Sequence, residues 1–445
     1  MDSNKLLLYE NLIGTMSEGV MVFDDNGNVI LCNDKAGELL DLQPPFEGLT
    51  LKYFLQNMEG RYDEFGDAVV EAIYEKETRH NFTVSYSSDK GDRRYLVSTG
   101  YLKGEGDSNN VLALINDISE LEKLHETFGR YVSDDIAKAI LETPGGLDMG
   151  GDERSVTILM SDLRGFTAMS EKMKPSDIVD MLNYYFGVML ECITRNNGNV
   201  IEFLGDGIFV VFGAPIASEN HAAEAVAAAV EMERAMADVN KWNVERGYPE
   251  LSMGIGINTG SAVVGNIGCE KRTKYGVLGS NVNLTGRIES YTVAGQILIS
   301  PTTREQIAED LIIEQEADVS PKGVDGVLHL TQVIGIGGDY NVSYEIVRKP
   351  LFGLDMPHVI TYRSLEGKHV SDESYLGKIL AVSEEQVLLE SPHDLEVFDN
   401  IRMDLAGETY GKVIKKTDEG YLIDFTALPE SFRIWFDAIT QGSRD

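Results

Sequence analysis

Two aspartates stand where their side chains could do chemistry. Asp162 closes the apolar run of SVTILMSDLRGFT (Ser155–Thr167), and Asp206 sits inside NVIEFLGDGIFVVFG (Asn199–Gly213). β-Branched and aromatic residues lead up to each aspartate and stop at a turn, so each run reads as a strand. If the two strands are neighbours in one sheet, the carboxylates meet at its edge. Two carboxylates, a few carbonyl or water oxygens and a triphosphate suit the octahedral preference of Mg²⁺. Two such ions side by side clamp an in-line displacement at phosphorus. Each signal taken singly has a plainer reading. Gly205-Asp206-Gly207 between apolar runs is usually a hairpin turn, and Asp162 could simply cap a turn. The residues downstream weigh on the side of chemistry.

The elements that must position these residues follow in order. After the first strand comes a helix over Pro175–Asn196, then the hairpin around Asp206 and an Ala-rich helix over Glu219–Arg246. A strand over Leu251–Asn258, a hairpin-like pair (Ala262–Gly268 and Lys274–Leu278) and a helix over Asn281–Tyr291 complete the segment. Such an order predicts an α+β domain with one sheet covered by helices. On the last helix, Asn283 and Arg287 are four apart and share a face. Arginine offers a planar fork of donors to a phosphoryl oxygen, and asparagine can hold a ribose. On their own they would be read as a solvated helix face.

Four stretches, MSDLRGFT, IEFLGDGIFVVFGAP, MGIGINTGSAVVGNIG and YGVLGSNVNLTGRIES, together resemble the catalytic domain of a class III adenylate/guanylate cyclase. The resemblance covers about 180 residues without a large gap. It implies that Asp162 and Asp206 bind two Mg²⁺ or Mn²⁺ ions per site. It implies that Asn283 and Arg287 are the catalytic pair of the family's N-x-x-x-R helix. Lys322 in PKGVDG matches the phosphate-binding lysine of a K-G-K loop whose second lysine is Val324 here. Phe166 and Thr167, just after Asp162, fall where backbone N–H groups meet the leaving pyrophosphate. The family also implies a homodimer whose active sites are shared between protomers.

The base contact is open to a finer reading. Adenylate-forming members carry a lysine three residues before the glycine of the GD turn, and here that residue is Glu202. Their aspartate or threonine after the hairpin tyrosine is Gly276, following Tyr275. Guanine presents N1–H and N2–H₂ as donors, which a carboxylate accepts; adenine N1 is an acceptor and would face Glu202 unpaired. GTP is therefore the expected substrate, with ATP the alternative.

Composition bounds the rest. The chain has 445 residues, with 38 Lys+Arg against 73 Asp+Glu and a net charge of −35. That balance argues against duplex nucleic acid or an anionic membrane as partner, although solubility alone would account for it. Cys32, Cys192 and Cys269 form no CxxC pair, so neither a disulfide framework nor a zinc site is supported. No apolar run approaches membrane-spanning length, and no signal peptide is evident. A cytoplasmic protein is expected.

The expected organisation is multidomain α+β. Residues 1–118 form a PAS-like sheet, 119–153 a helical linker or transducer element, 154–336 the cyclase domain and 340–445 a small β-barrel. In the first segment, Asn26-Gly27 marks a hairpin, Asn33 or Asp34 a helix cap, and Asn81–Tyr86, Tyr95–Tyr101 and Val111–Asn116 strands. Its ligand or signalling partner is not readable. Leu114, Ile118, Leu121, Phe128 and Val132 suggest a short heptad seam, with an ordinary amphipathic helix as the alternative. Ser133 is a candidate N-cap for the element that follows. Gly150-Gly151-Asp152-Glu153 has the letters of a diguanylate cyclase signature, but Arg154 follows where an aromatic belongs. The last segment resembles a PilZ domain. Its cyclic di-GMP motifs are absent: Arg363 has no arginine four residues on, and Ala381-Val382-Ser383 leads to Gln386 instead of glycine. A reading from another class is a catalytically inactive nucleotide-binding scaffold.

Overall fold

The computed structural model describes residues 3–46, 48–52, 63–88, 91–103, 109–129, 133, 136–138, 148–320, 326–346, 348–366 and 369–441. They form two compact units, Met1–Val132 and Ser133–Asp445.

The first unit is one antiparallel sheet with short helices. Its strands are β1 (Gly19–Asp24), β2 (Val29–Cys32), β3 (Arg79–Ser88), β4 (Gly91–Lys103) and β5 (Asn109–Asp117), in spatial order β2-β1-β5-β4-β3. Helices α1 (Ser3–Gly14), α2 (Asp34–Leu39), α3 (Asp63–Glu75) and α4 (Ser119–Gly129) accompany them. Asn33 is the N-cap of α2: its Oδ1 accepts from Ala36 N at 2.8 Å and from Val20 N at 2.9 Å. Met21, Phe23, Leu40, Phe65, Val97 and Ile115 form the core. The proposed seam changes here. Leu114 lies on β5, paired with Val20 and Ser98, because alternation and cross-strand pairing override a four-three spacing. Only Leu121 and Phe128 of the seam lie on α4, and Val132 is outside the described residues.

The second unit starts with Ser133, whose Oγ accepts from Ile136 N at 3.4 Å and bonds Asn199 Oδ1 at 3.1 Å. A nine-stranded sheet follows. Its strands are β6 (Gly150–Leu163), β7 (Asn199–Leu204), β8 (Gly207–Phe212), β9 (Met253–Cys269), β10 (Arg272–Leu278), β11 (Gln296–Ile299), β12 (Leu311–Val319), β13 (Leu328–Ile336) and β14 (Val342–Ser343). The main path runs β12-β13-β11-β9-β6-β8-β7, with β10 on β9 and β14 on β13. Helices α5 (Phe166–Ser170), α6 (Pro175–Arg195), α7 (His221–Glu245), α8 (Ser280–Tyr291) and α9 (Pro301–Glu305) complete it.

Two expectations are corrected. Gly150–Glu153, read as linker, begins β6 and pairs with Val263–Asn266 of β9, so this tetrapeptide is a strand start. The strands expected at Leu251–Asn258 and Ala262–Gly268 are one continuous β9, because Thr259 and Gly260 stay in register with Thr157 and Val156.

One side of this sheet carries Ile208, Val210, Phe212, Met253, Ile255 and Ile257 against α6 and the alanine-rich α7. Alanines from Ala222 to Ala229 are all buried, so small side chains let α7 lie close to the strands. Burying one ring such as Phe212 stabilises by about 2–3 kcal/mol.

The last part is a barrel. Strands β15 (Phe352–Glu366), β17 (Tyr375–Val382), β18 (Gln386–Glu390), β21 (Tyr421–Ala427), β20 (Glu408–Lys416) and β19 (Asn400–Asp404) follow one another, and β19 pairs back onto β15 to close six strands. The two-residue β16 (His369–Val370) pairs on β15, and α10 (Ser431–Gln441) packs Phe432 and Phe436 into the barrel core. Strand β15, the longest of the barrel, was not foreseen. Among the described residues no helix is long and apolar enough to cross a membrane.

Candidate functional site

Strand β6 delivers Asp162 near its end, opposite Gly254 of β9, and the β7–β8 turn delivers Asp206 beside it. The turn comes so close that a Cβ on Gly207 would lie 2.7 Å from Ser161 O and 3.4 Å from Asp162 Oδ1. Burial pushes the Asp162 carboxyl up to about 6, the Asp206 and Glu289 carboxylates push the same way, and the Arg164 guanidinium opposes them. Two acids side by side with their nearest guanidinium at 3.9 Å are an anionic pocket short of positive charge.

Arg164 ties this pocket to α8. Its guanidinium pairs with Glu289, donates to Thr292 Oγ1 at 2.5 Å and reaches Asp162 Oδ2 at 3.9 Å, while its Nε is buried without a partner. Glycines seat the same helix. In MGIGINTG, a Cβ on Gly254 would collide with Thr292 and Arg164, one on Gly256 with the Glu289 backbone, and one on Gly260 with Asn281. The three share one face of β9, so α8 rests directly on the strand. Met253, Ile255 and Ile257 fill the opposite face.

Asn283 and Arg287 lie on α8 as expected, Asn283 exposed and Arg287 half-buried. Among the described residues no side-chain hydrogen bond or ion pair engages either, and none joins them to Asp162 or Asp206. The fold therefore builds two separate groups: an acid pair tied to Arg164, and an open Asn/Arg face.

A third group lies on β7 and β10. Glu202 Oε2 is 2.8 Å from Lys274 Nζ, with both side chains about half exposed. Gly276 is buried against Gly265, and a Cβ there would come nearest Ile267, 3.1 Å from its Cδ1. Phe166 and Thr167 are the first two residues of α5, after Gly165 in the left-handed region at φ 70°. Lys322 lies outside the described residues.

Sequence reasoning missed Lys274, Arg164, Glu289 and Glu233. Glu233 of α7 is half-buried, its Oε1 enclosed without a hydrogen-bond partner, and desolvation pushes its pKa up to about 8. Nothing in its local sequence, Glu231-Met232-Glu233-Arg234, sets it apart from a solvated helix face. Asp162, Arg164, Asp206 and Glu233 line a cleft of about 1120 Å³ whose far wall includes Lys412 and Asp424 of the barrel.

A family model described as the adenylate and guanylate cyclase catalytic domain matches residues 151–332, and one described as the PAS fold matches residues 7–118. Adenylate cyclase 1 of Rhizobium meliloti is 30% identical over 178 residues, covering 40% of this chain and 27% of that protein. The terminal-differentiation-specific adenylate cyclase of Dictyostelium discoideum is 34% identical over 180 residues, covering 39% of this chain and 8% of its own length. The chain thus spans about a quarter or less of these curated relatives. Among solved structures, the guanylyl cyclase Cya2 is 53% identical, with 44% of this chain and 99% of that chain covered and a TM-score of 0.43.

Proposed function

We propose that this chain, which carries an adenylate and guanylate cyclase catalytic domain at residues 151–332 behind a PAS fold at residues 7–118, converts GTP into 3′,5′-cyclic GMP and pyrophosphate. The 3′-oxygen of the ribose attacks the α-phosphorus, the bond from that phosphorus to the oxygen bridging it to the β-phosphorus breaks with pyrophosphate as the leaving group, and the hydroxyl proton passes to solvent water. The observation that carries this reading is the acid pair. Asp162 beside Asp206, with the Asp162 carboxyl driven up to about 6 by burial and by its neighbour, is a donor set that fits divalent cations. Bound there, two Mg²⁺ or Mn²⁺ ions would supply a lowered pKa at the 3′-hydroxyl and neutralise charge on the phosphates.

The chain's own residues do the remaining work. Arg287 donates to the phosphoryl oxygens as charge develops, and Asn283, one turn away, orients the ribose. Phe166 and Thr167 present backbone N–H groups to the leaving phosphates at the start of α5, and Lys322 is assigned to the same charge. Because Asn283 and Arg287 find no side-chain partner among the described residues, we assign the complete site to a homodimer. There the acid pair of one protomer faces α8 of the other.

Glu202 is assigned to the base. Its carboxylate accepts from guanine N1–H and N2–H₂, and Lys274, 2.8 Å from it, is assigned as the donor to guanine O6. Gly276 leaves space beside the ring. A second reading, cyclic AMP from ATP, has one observation in its favour: the Lys274 ammonium is also a donor that adenine N1 could accept.

Incubation of the full chain with GTP or ATP and Mg²⁺ or Mn²⁺, measuring both cyclic products, is the test. Cyclic GMP formed faster from GTP supports the assignment. Faster cyclic AMP selects the second reading, and neither product from either nucleotide selects an inactive scaffold.

A further inference from the structure

We propose that Lys412, on strand β20 of the C-terminal barrel, is a positioning residue for the catalytic helix α8. The proposal rests on reading α8 as the helix that brings Asn283 and Arg287 to the substrate.

Lys412 Nζ donates to Ser290 O at 2.8 Å and Thr292 O at 3.4 Å, and the residue is 4% exposed. These carbonyls belong to the C-terminal end of α8, where helix geometry leaves acceptors unpaired and the helix dipole favours a cation. A second contact comes from the same corner of the barrel. Phe398, 3% exposed and held at φ 74°, is buried among Ile288, Leu298, Val319 and Leu330, with the Tyr291 ring 5.8 Å away. Phe398 N donates to Val413 O at 2.6 Å and Val413 N to Asp399 O at 2.9 Å, so the ring and the ammonium move together.

Both contacts act on the segment that already joins the two groups of site residues. Thr292 and Glu289 hold Arg164, which reaches Asp162, while Arg287 lies one turn back along α8. The barrel therefore grips the end of the helix, not its reacting face. Burial pulls the Lys412 pKa down to about 7, with Arg164 adding to the effect and Glu289 and Asp424 opposing it, and among the described residues no carboxylate is hydrogen-bonded to the ammonium. An apolar side chain would fill the same space at less cost. What the ammonium adds is direction, two donors aimed at two carbonyls. A misplacement of about 1 Å remote from the chemistry can cost roughly a hundredfold in rate.

The experiment uses the full chain and the Lys412→Met and Lys412→Arg variants. It reads steady-state cyclase kinetics and amide hydrogen exchange across residues 280–295, with thermal unfolding to show that each variant is folded. Lys412→Met is expected to lower kcat roughly 10- to 100-fold with KM changed by less than about threefold. Exchange near 287–293 should quicken, and Lys412→Arg should recover part of kcat. A folded Lys412→Met with wild-type kcat, or with lowered kcat and unchanged exchange across α8, overturns the proposal. If Lys412→Met does not fold, Phe398→Leu takes its place: slower turnover with faster exchange supports the proposal, and wild-type values for both overturn it. Failure of the underlying reading looks different. A wild-type chain that forms no cyclic nucleotide, or an Arg287→Ala variant as active as wild type, removes the catalytic role of α8 and overturns both.

Discussion

Asp162 and Asp206 sit in a crowd, whereas Asn283 and Arg287 stand with no side-chain partner among the described residues. Around the acids the chain supplies Arg164, Glu289, Thr292 and the close backbone of Gly207, and the Asp162 carboxyl is driven up to about 6. Under α8, strand β9 supplies a seat of three glycines, and on the helix Asn283 and Arg287 are left without a side-chain partner among the described residues. Strained electrostatics at one end and unspent donors at the other are what two halves of a site look like before they meet. The acid end needs cations and the α8 face needs anions. On the reading proposed above, a metal-bound triphosphate held between two copies of the chain would satisfy both.

This contrast can be broken at its acid end first, where the largest effect is expected. Asp162→Ala or Asp206→Ala should lower kcat about a thousandfold, with the fold intact by circular dichroism. Residual activity near wild type in either variant would leave the acid pair without a catalytic role.

The base contacts come next. Glu202→Lys combined with Gly276→Asp exchanges an acceptor for a donor and adds an acceptor for adenine N6. The ratio of kcat/KM for GTP to that for ATP should fall by about 2–4 kcal/mol, two to three decades. A ratio that does not move would detach Glu202 from the base.

A stability effect sharpens the comparison without touching catalysis. The Glu233 carboxyl, raised to about 8 from 4.5, is protonated in the folded state at pH values where the unfolded chain has ionised it. Folding stability is thus favoured below pH 4.5 and lost progressively as pH rises through 8. Glu233→Gln should therefore be more stable than wild type at pH 8.5, on the order of a few kcal/mol, and close to it near pH 5. Chemical denaturation at the two pH values checks this, and an equal difference at both would refute it.

The smallest effect is expected from the PAS fold. Removing residues 1–118 should change activity, or its dependence on protein concentration, by about fivefold. Identical kinetics at every concentration would make α4 a spacer.

The legible parts of the site were local. Asp162 and Asp206 follow apolar strand runs, and Asn283 and Arg287 sit on a helix read as Asn281–Tyr291 and found as Ser280–Tyr291. The helix read as Pro175–Asn196 is Pro175–Arg195, since Pro175 marks its first turn. The illegible parts were pairings across sequence. Arg164 meets Thr292 at a separation of 128 residues, and Lys412 meets Ser290 at 122. No period or spacing encodes such contacts. Strand β15 was hidden for a different reason. Gly353 and Pro357 interrupt its alternation, and its register shifts between Gly353 and His358, so a strand able to close a barrel reads as a loop. The glycines of MGIGINTG were visible as letters, but their meaning, a face kept bare for α8, required the helix to be in place.

The most direct measurement mixes two inactive proteins. Asp162→Ala keeps an intact α8 face, and Arg287→Ala keeps an intact acid pair. After subunit exchange, half of the dimers in an equal mixture carry both variants, and each of those has one whole site. Activity should recover to about a quarter of the wild-type value. No recovery while exchange is demonstrated by labelled subunits would contradict a site shared between protomers.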